Sequence, residues 1–235
     1  TVNPATQEVL AEVASGGEAE VEAAVAAAKE AFPKWANTPA TERANDGKCD
    51  ALGRFWVGTM HEPASGPRQP VAALYCIDLR VAPMVRRVLD GARTANGLAW
   101  SPDGRTLYWS DTPAHAIRAW DCDALGEPVG DPRVLRAFEP RRGGAPYGGR
   151  PDGACVDAEG AYWCALYEGA RVLRLSPRGE VLAELPVPVA RPTIPCLGAP
   201  DGRTLFVTSA KGPVLRTRVD VPGLPVAWCE LGGAR

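Results

Sequence analysis

Histidine is nearly absent from this chain, with two residues in 235, His61 and His115. Neither is accompanied by a serine or cysteine motif of the kind a nucleophilic triad needs, so imidazole-activated serine or thiol chemistry is not expected. An excess of one charge is also missing. The 26 Lys and Arg stand against 28 Asp and Glu, a net −2, which gives no electrostatic reason to expect a nucleic acid partner. No apolar run approaches the ~18 residues of a membrane span, so no membrane partner is predicted. The segment from Thr1 to Glu8 has neither a basic region nor an apolar signal core. The seven cysteines are odd in number, scattered and without a CxxC pair. They read as small buried hydrophobes in a reducing cytoplasm rather than as disulfides or thiolate metal ligands. Cytoplasmic localisation is the expectation.

What the chain does have is one pattern written four times. The copies run from Asn45 to Met60, from Asn96 to Asp111, from Pro151 to Ala165 and from Cys196 to Ser209. Each is a short apolar run, a turn ending in glycine, then a strand of aromatic and β-branched residues. The turn glycines are Gly53, Gly104, Gly160 and Gly202, at spacings of 51, 56 and 42 residues. A period in the forties to fifties with about four strands per unit predicts a β-propeller, in which the loops of all blades gather around one channel. Residues 43–235 amount to about four blades. Trp56, Trp100, Trp109 and Trp163 fall in or beside strands and read as sheet packing. Asp103-Gly-Arg and Asp201-Gly-Arg read as hairpin turns, and Arg141-Arg142-Gly143-Gly144 as a solvated loop.

The first 42 residues do not carry the repeat. Val9 to Val13 reads as a strand after an Asn3-Pro4 turn. From Glu18 to Phe32 the spacing of Val21, Ala24, Val25, Ala28 and Phe32 predicts a helix with one apolar face. Its first turn is acidic, and Pro33 marks its end. The predicted class is therefore all-β, a partial propeller preceded by a short strand-helix segment.

Three of the repeat copies place Asn or Asp at or near their start, and a propeller brings such positions to one channel. Asn96 and Asp152 offer an amide oxygen and a carboxylate, the hard donors that suit Ca, Mg or Mn. Asn-Gly and Asp-Gly are equally turn signals, and the residues alone leave both readings open. If Asp152 binds a cation, it can also serve as general base to a water beside it.

Two resemblances sharpen this. Residues 3–13, the helix, Phe32-Pro-Lys-Trp35 and Thr41-Glu-Arg-Ala44 resemble the extreme N-terminus of an NAD-dependent aldehyde dehydrogenase, without its catalytic cysteine, cofactor motifs or Gly-rich loop. From Arg43 onward the chain resembles the senescence marker protein, gluconolactonase and regucalcin family. The resemblance rests on Arg43-Ala-Asn-Asp-Gly-Lys-Cys-Asp50, Ala95-Asn-Gly-Leu-Ala-Trp100 and Arg150-Pro-Asp-Gly-Ala-Cys-Val-Asp157, in that order. It implies part of a six-bladed propeller, one divalent cation (Ca, Zn, Mg or Mn) at the channel mouth, and hydrolysis of a sugar lactone as substrate. It implies metal ligation by Asn96 and Asp152, a catalytic role for Asp152, and substrate contacts from Arg43 and Asn45. The family's third ligand, a Glu in a Gly-Glu-Gly-Pro type motif, has no match here. Cation binding is therefore expected to be weak and lactone hydrolysis slow. The alternatives are an inactive propeller remnant that binds a cation or sugar acid, and an aldehyde dehydrogenase label without its chemistry. Self-association through open sheet edges is a further expectation.

Overall fold

The computed structural model describes residues 42–81 and 83–230. They form fifteen strands in four antiparallel sheets, each built from consecutive strands. The first sheet holds Glu42–Cys49 (β1), Phe55–His61 (β2), Ala72–Asp78 (β3) and Met84–Ala92 (β4). The second holds Ala95–Trp100 (β5), Thr106–Asp111 (β6), Ala116–Cys122 (β7) and Pro128–Ala137 (β8). The third holds Arg150–Val156 (β9), Tyr162–Tyr167 (β10), Arg171–Leu175 (β11) and Val181–Pro186 (β12). The fourth holds Pro192–Gly198 (β13), Thr204–Ser209 (β14) and Leu215–Arg218 (β15). This is the four-bladed arrangement that the repeat predicts, with β1, β5, β9 and β13 as inner strands. No helix of the described residues is long and apolar enough to cross a membrane. The strand expected at 9–13 and the helix expected at 18–32 lie outside the described residues.

Alternation along each strand explains why the sheets stack. Successive residues point to opposite faces, so Trp109 packs toward the first sheet while its neighbour Tyr108 packs toward the third. Trp56, Leu74, Leu98, Leu107 and Trp109 fill the space between the first and second sheets. Tyr108, Ile117, Tyr162, Leu173 and Leu175 fill that between the second and third. Trp163, Val172, Leu197, Leu205 and Val207 join the third to the fourth. Of the four tryptophans read as sheet packing, Trp56, Trp109 and Trp163 are buried, and Trp100 packs half-buried against the first of these clusters. Fully burying each large apolar side chain contributes roughly 1.5–3 kcal/mol.

The turn glycines of the four copies all adopt left-handed backbone, with φ of 79° at Gly53, 69° at Gly104, 82° at Gly160 and 67° at Gly202. Two of these turns share a further device. Asp50 accepts hydrogen bonds from the backbone N–H groups of Leu52 and Arg54 (3.0 and 2.9 Å), from Arg54 Nε (2.6 Å) and from Trp56 Nε1 (2.7 Å). Asp157 repeats this with the backbone of Glu159 and Ala161 (3.0 and 2.9 Å), Arg174 Nε (2.8 Å) and Trp163 Nε1 (2.8 Å). One carboxylate thereby ties each turn to the indole of the strand that follows.

After β15 the chain doubles back under the turn ends of the sheets. Gly223 donates to Gly202 O and Pro222 O accepts from Ala158, both at 2.9 Å, and Glu230 donates to Gly53 O at 2.9 Å. Leu224 packs on the cluster between the second and third sheets. This tail links the fourth sheet to the first at the end opposite the site described next. All seven cysteines are free; Cys76 and Cys164 are buried as the sequence reading expects, whereas Cys49, Cys122, Cys155 and Cys229 are half-buried and Cys196 is exposed.

Candidate functional site

Every inner strand carries an irregularity at the same place. Pairing jumps from Ala44 to Gly47 in β1, from Asn96 to Ala99 in β5, from Pro151 to Ala154 in β9 and from Pro192 to Pro195 in β13. In each case two residues face one on the partner strand, which defines a β-bulge; bulges bend the strand and re-aim side chains. The bulged pairs are Asn45-Asp46, Gly97-Leu98, Asp152-Gly153 and Thr193-Ile194. Asn96 immediately precedes its bulge. Four equivalent distortions thus turn the starts of the inner strands toward a common centre.

The bulge in β5 fixes the spacing of the site. Gly97 has φ 62°, and a Cβ there would meet Tyr162 Oη, Ser110 Oγ and the carbonyl oxygen of Asp152. Tyr162 Oη donates to Gly97 O at 2.6 Å. The Gly97 backbone is thereby held against the Asp152 backbone with no room for a side chain. Gly97→Ala is expected to shift both strands and lower the thermal midpoint by several degrees, read by calorimetry. An unchanged midpoint would show that the close approach is not required.

Asn96 is buried, and its Nδ2 donates to Thr112 Oγ1 at 2.9 Å. That bond orients the amide and leaves Oδ1 as the acceptor, unengaged among the described residues. Thr112 opens the short 3-10 turn Thr112–Ala114 after β6. Asp152 is half-buried, and its carboxylate accepts no hydrogen bond among the described residues. Burial first, and then the nearby charge of Asp46, push its pKa up to about 7, partly offset by Arg150. Asn45 is exposed and donates from Nδ2 to Ala95 O at 2.9 Å, which joins β1 to β5 beside Asn96. The structure therefore brings Asn45, Asn96 and Asp152 together. It does not bring Arg43 with them: Arg43 is exposed and pairs with Glu62 at 3.1 Å on the rim.

Sequence reasoning missed Asp46 and Lys48. Asp46 is buried, accepts from the backbone N–H of Leu98 at 2.8 Å, and has its pKa raised by burial. Lys48 Nζ donates to Ala154 O at 2.9 Å, crossing from β1 to β9. Both lie in the motif Asn45-Asp46-Gly47-Lys48, but only the bulge shows that Asp46 turns inward. Among the described residues no three His, Cys, Asp or Glu side chains group as metal ligands do. Two open concavities, of about 670 Å³ beside Glu42 and His61 and about 400 Å³ beside Leu185 and Leu215, lie away from Asn96 and Asp152.

The electrostatics give a signed expectation. The carboxyl of Asp152 titrates near 7 in the folded chain against ~3.9 unfolded. Its contribution to stability is complete below about pH 4 and is lost as pH rises through 7. The metal-free protein is expected to melt at lower temperature at pH 8 than at pH 5, and Asp152→Asn to flatten that slope. A slope unchanged in Asp152→Asn would contradict the assignment.

The comparisons with known proteins fit this geometry. The model of the SMP-30/Gluconolactonase/LRE-like region matches residues 10–211. A 6-deoxy-6-sulfogluconolactonase of Pseudomonas putida is 40% identical over 195 residues, covering 77% of this chain and 63% of its own. Regucalcin of Danio rerio is 37% identical over 175 residues, covering 74% and 56%. The crystal structure of a calcium-binding protein, regucalcin from Agrobacterium tumefaciens, superposes with a TM-score of 0.71 at 27% identity, covering 81% of this chain and 66% of that one. The chain thus spans less than two thirds of the length of these relatives. The family match begins at residue 10, inside the segment read from sequence as the start of an aldehyde dehydrogenase, and these relatives lend that reading no support. With the matched span, the repeated inner-strand bulges and the motifs at Asn45, Asn96 and Asp152 in agreement, the chain belongs to the SMP-30/gluconolactonase/LRE-like family.

Proposed function

We propose that this chain hydrolyses a sugar lactone with the help of one divalent cation held by Asn96 and Asp152. The observation that carries the reading is the pairing of a free amide oxygen, oriented by Thr112, with a half-buried carboxylate that lacks a hydrogen-bond donor. Asp46 places further negative charge beside that carboxylate. Oxygen donors with a charge that Arg150 only partly offsets suit a hard cation, so the residues present fit Ca, Mg or Mn better than the softer Zn. With few charged ligands among the described residues, binding is expected to be weak. The relatives support the same direction, one named as a lactonase and another described as calcium-binding.

When bound, a divalent cation polarises a carbonyl and lowers the pKa of water at neutral pH. The remaining work falls to side chains. Asp152, as carboxylate, takes a proton from water as the water oxygen forms its bond to the lactone carbon. The ring C–O bond then breaks, and the departing ring oxygen takes that proton back from Asp152. Lactone and water become one hydroxy acid, with no other reactant. Asn45, whose Nδ2 is committed to Ala95 O, offers Oδ1 to a substrate hydroxyl. Arg43 is exposed and paired with Glu62, and exchange of Glu62 for substrate would bring its guanidinium into use.

The test is a pH-stat assay of five- and six-carbon aldonolactones beside an open-chain ester. Hydrolysis of the lactones that is lost on chelation and restored by Ca, Mg or Mn is expected. Turnover of the open-chain ester alone would overturn the lactone reading.

A further inference from the structure

Three guanidinium groups surround one carboxylate at the end of the molecule where Asp152 lies. Arg150 is two residues before Asp152 on β9, Arg191 immediately precedes β13, and Arg141 lies in the loop between β8 and β9. Their terminal nitrogens stand 3.4, 4.0 and 3.4 Å from the carboxylate of Glu168, in the turn between β10 and β11. Three positive groups against one negative leave a formal surplus of two charges. Among the described residues none of the three side chains donates a hydrogen bond, and Arg150 Nε is buried without a partner.

Each of these groups lies within cation–π range of a tyrosine ring instead. Arg150 and Arg191 lie over the Tyr167 ring, 5.3 and 5.8 Å from its centroid, and Arg141 lies 4.5 Å over Tyr147. Tyr147 Oη is fixed by His115 Nε2 at 2.8 Å. A cation–π contact needs no N–H donor, so the guanidinium N–H groups stay free for another acceptor. Glu168 has φ 63°, a left-handed conformation uncommon outside glycine, and it aims its carboxylate among the arginines. A salt bridge built only for stability would use close two-point Arg–carboxylate bonds. This cluster keeps its donors unspent.

We propose that Arg141, Arg150 and Arg191 form an anion subsite that reads a sulfonate or phosphate group on the substrate, at the end of the sugar farthest from the lactone carbonyl. This rests on the lactonase reading above. Two residues of strand separate Arg150 from Asp152, about 6–7 Å. Arg150 lies near enough to act on the Asp152 carboxylate, so one molecule can present its carbonyl to Asp152 and its anion to Arg150. A tetrahedral oxyanion has the oxygens to accept from several guanidinium edges at once. Glu168 offsets the mutual repulsion of the three arginines until the anion arrives.

The test is binding, which does not require turnover. Calorimetry would compare gluconate with 6-phosphogluconate and with 6-deoxy-6-sulfogluconate, on the full chain. The 6-anionic acids are expected to bind at least tenfold more tightly than gluconate. Added salt should narrow the difference, since the cluster is partly exposed. Arg191→Ala, which removes no hydrogen bond, and Arg150→Lys, which keeps the charge but loses the fork, should each cut the preference severalfold. Equal affinity for the three acids overturns the subsite and leaves the lactonase reading standing. A preference that survives Arg191→Ala and Arg150→Lys undiminished also overturns it. Failure of all three acids to bind overturns the lactonase reading, and the subsite with it.

Discussion

Asp152→Ala is expected to lower kcat/KM for lactone hydrolysis about a thousandfold. The side chain is assigned two tasks, cation ligand and proton acceptor, and general-base catalysis alone contributes about 10²–10⁴-fold. The substitution also removes a carboxylate that burial and Asp46 destabilise, so the variant should fold and melt at or above the wild-type temperature near pH 8. Loss of activity with unimpaired stability is the signature of a residue held in place for chemistry. Asn96→Ala should reduce activity less, because it removes one neutral donor and leaves the carboxylate. A variant at Asp152 that retains more than a tenth of wild-type turnover would contradict both assignments.

The second large effect is on stability. Asp157 is fully buried and takes four hydrogen bonds, two from backbone and one each from Trp163 and Arg174. Asp157→Ala leaves those donors, including a charged guanidinium that is itself largely buried, without a partner. Breaking a buried ion pair from one side costs about 3–5 kcal/mol. At about 2–4 °C per kcal/mol for a chain of this size, the melting midpoint should fall by about 10 °C. The fourth copy provides the comparison. Asp201 serves the corresponding turn from an exposed position, bonding the backbone of Arg203 and pairing with Arg218. Asp201→Ala should leave the midpoint nearly unchanged. Equal losses at the two positions would show that the turn itself, and not the buried network, sets the cost.

The contrast between these aspartates also marks what the sequence could convey. The inner and second strand of each blade were readable because Gly53, Gly104, Gly160 and Gly202 punctuate a repeated apolar pattern, and left-handed turns require that residue. The outer strands repeat poorly because they are half in solvent; β4 and β8 carry several exposed residues, and little constrains their sequence. Asn96 and Asp152 were legible through their motifs; one precedes and the other lies in the bulge of its inner strand. Asp46 was not, because a bulge inserts one residue into a strict alternation, and a pattern with a period of two cannot show where alternation fails. Arg43 stood in the same motif as Asn45, yet it faces Glu62 on the rim. The spacing Asp50-Gly53-Trp56 and Asp157-Gly160-Trp163 held the turn-to-indole network in plain view, though nothing in a turn signal says that the carboxylate is buried. The arginine cluster draws on separated segments: strand pairing within the third sheet sets Arg150 opposite Tyr167, and Arg191 comes from just before the first strand of the neighbouring sheet.

We propose that the inner-strand bulges present Asn96 and Asp152 as a working cation site. A calorimetric titration of Ca, Mg or Mn into chelator-stripped protein at pH 8 tests this. Saturable binding of one cation per chain is expected, absent in Asp152→Ala, weakened in Asn96→Ala, and tracking the recovery of lactone hydrolysis. Hydrolysis at full rate in the stripped protein, or cation binding equal in the wild type and in both variants, would contradict it.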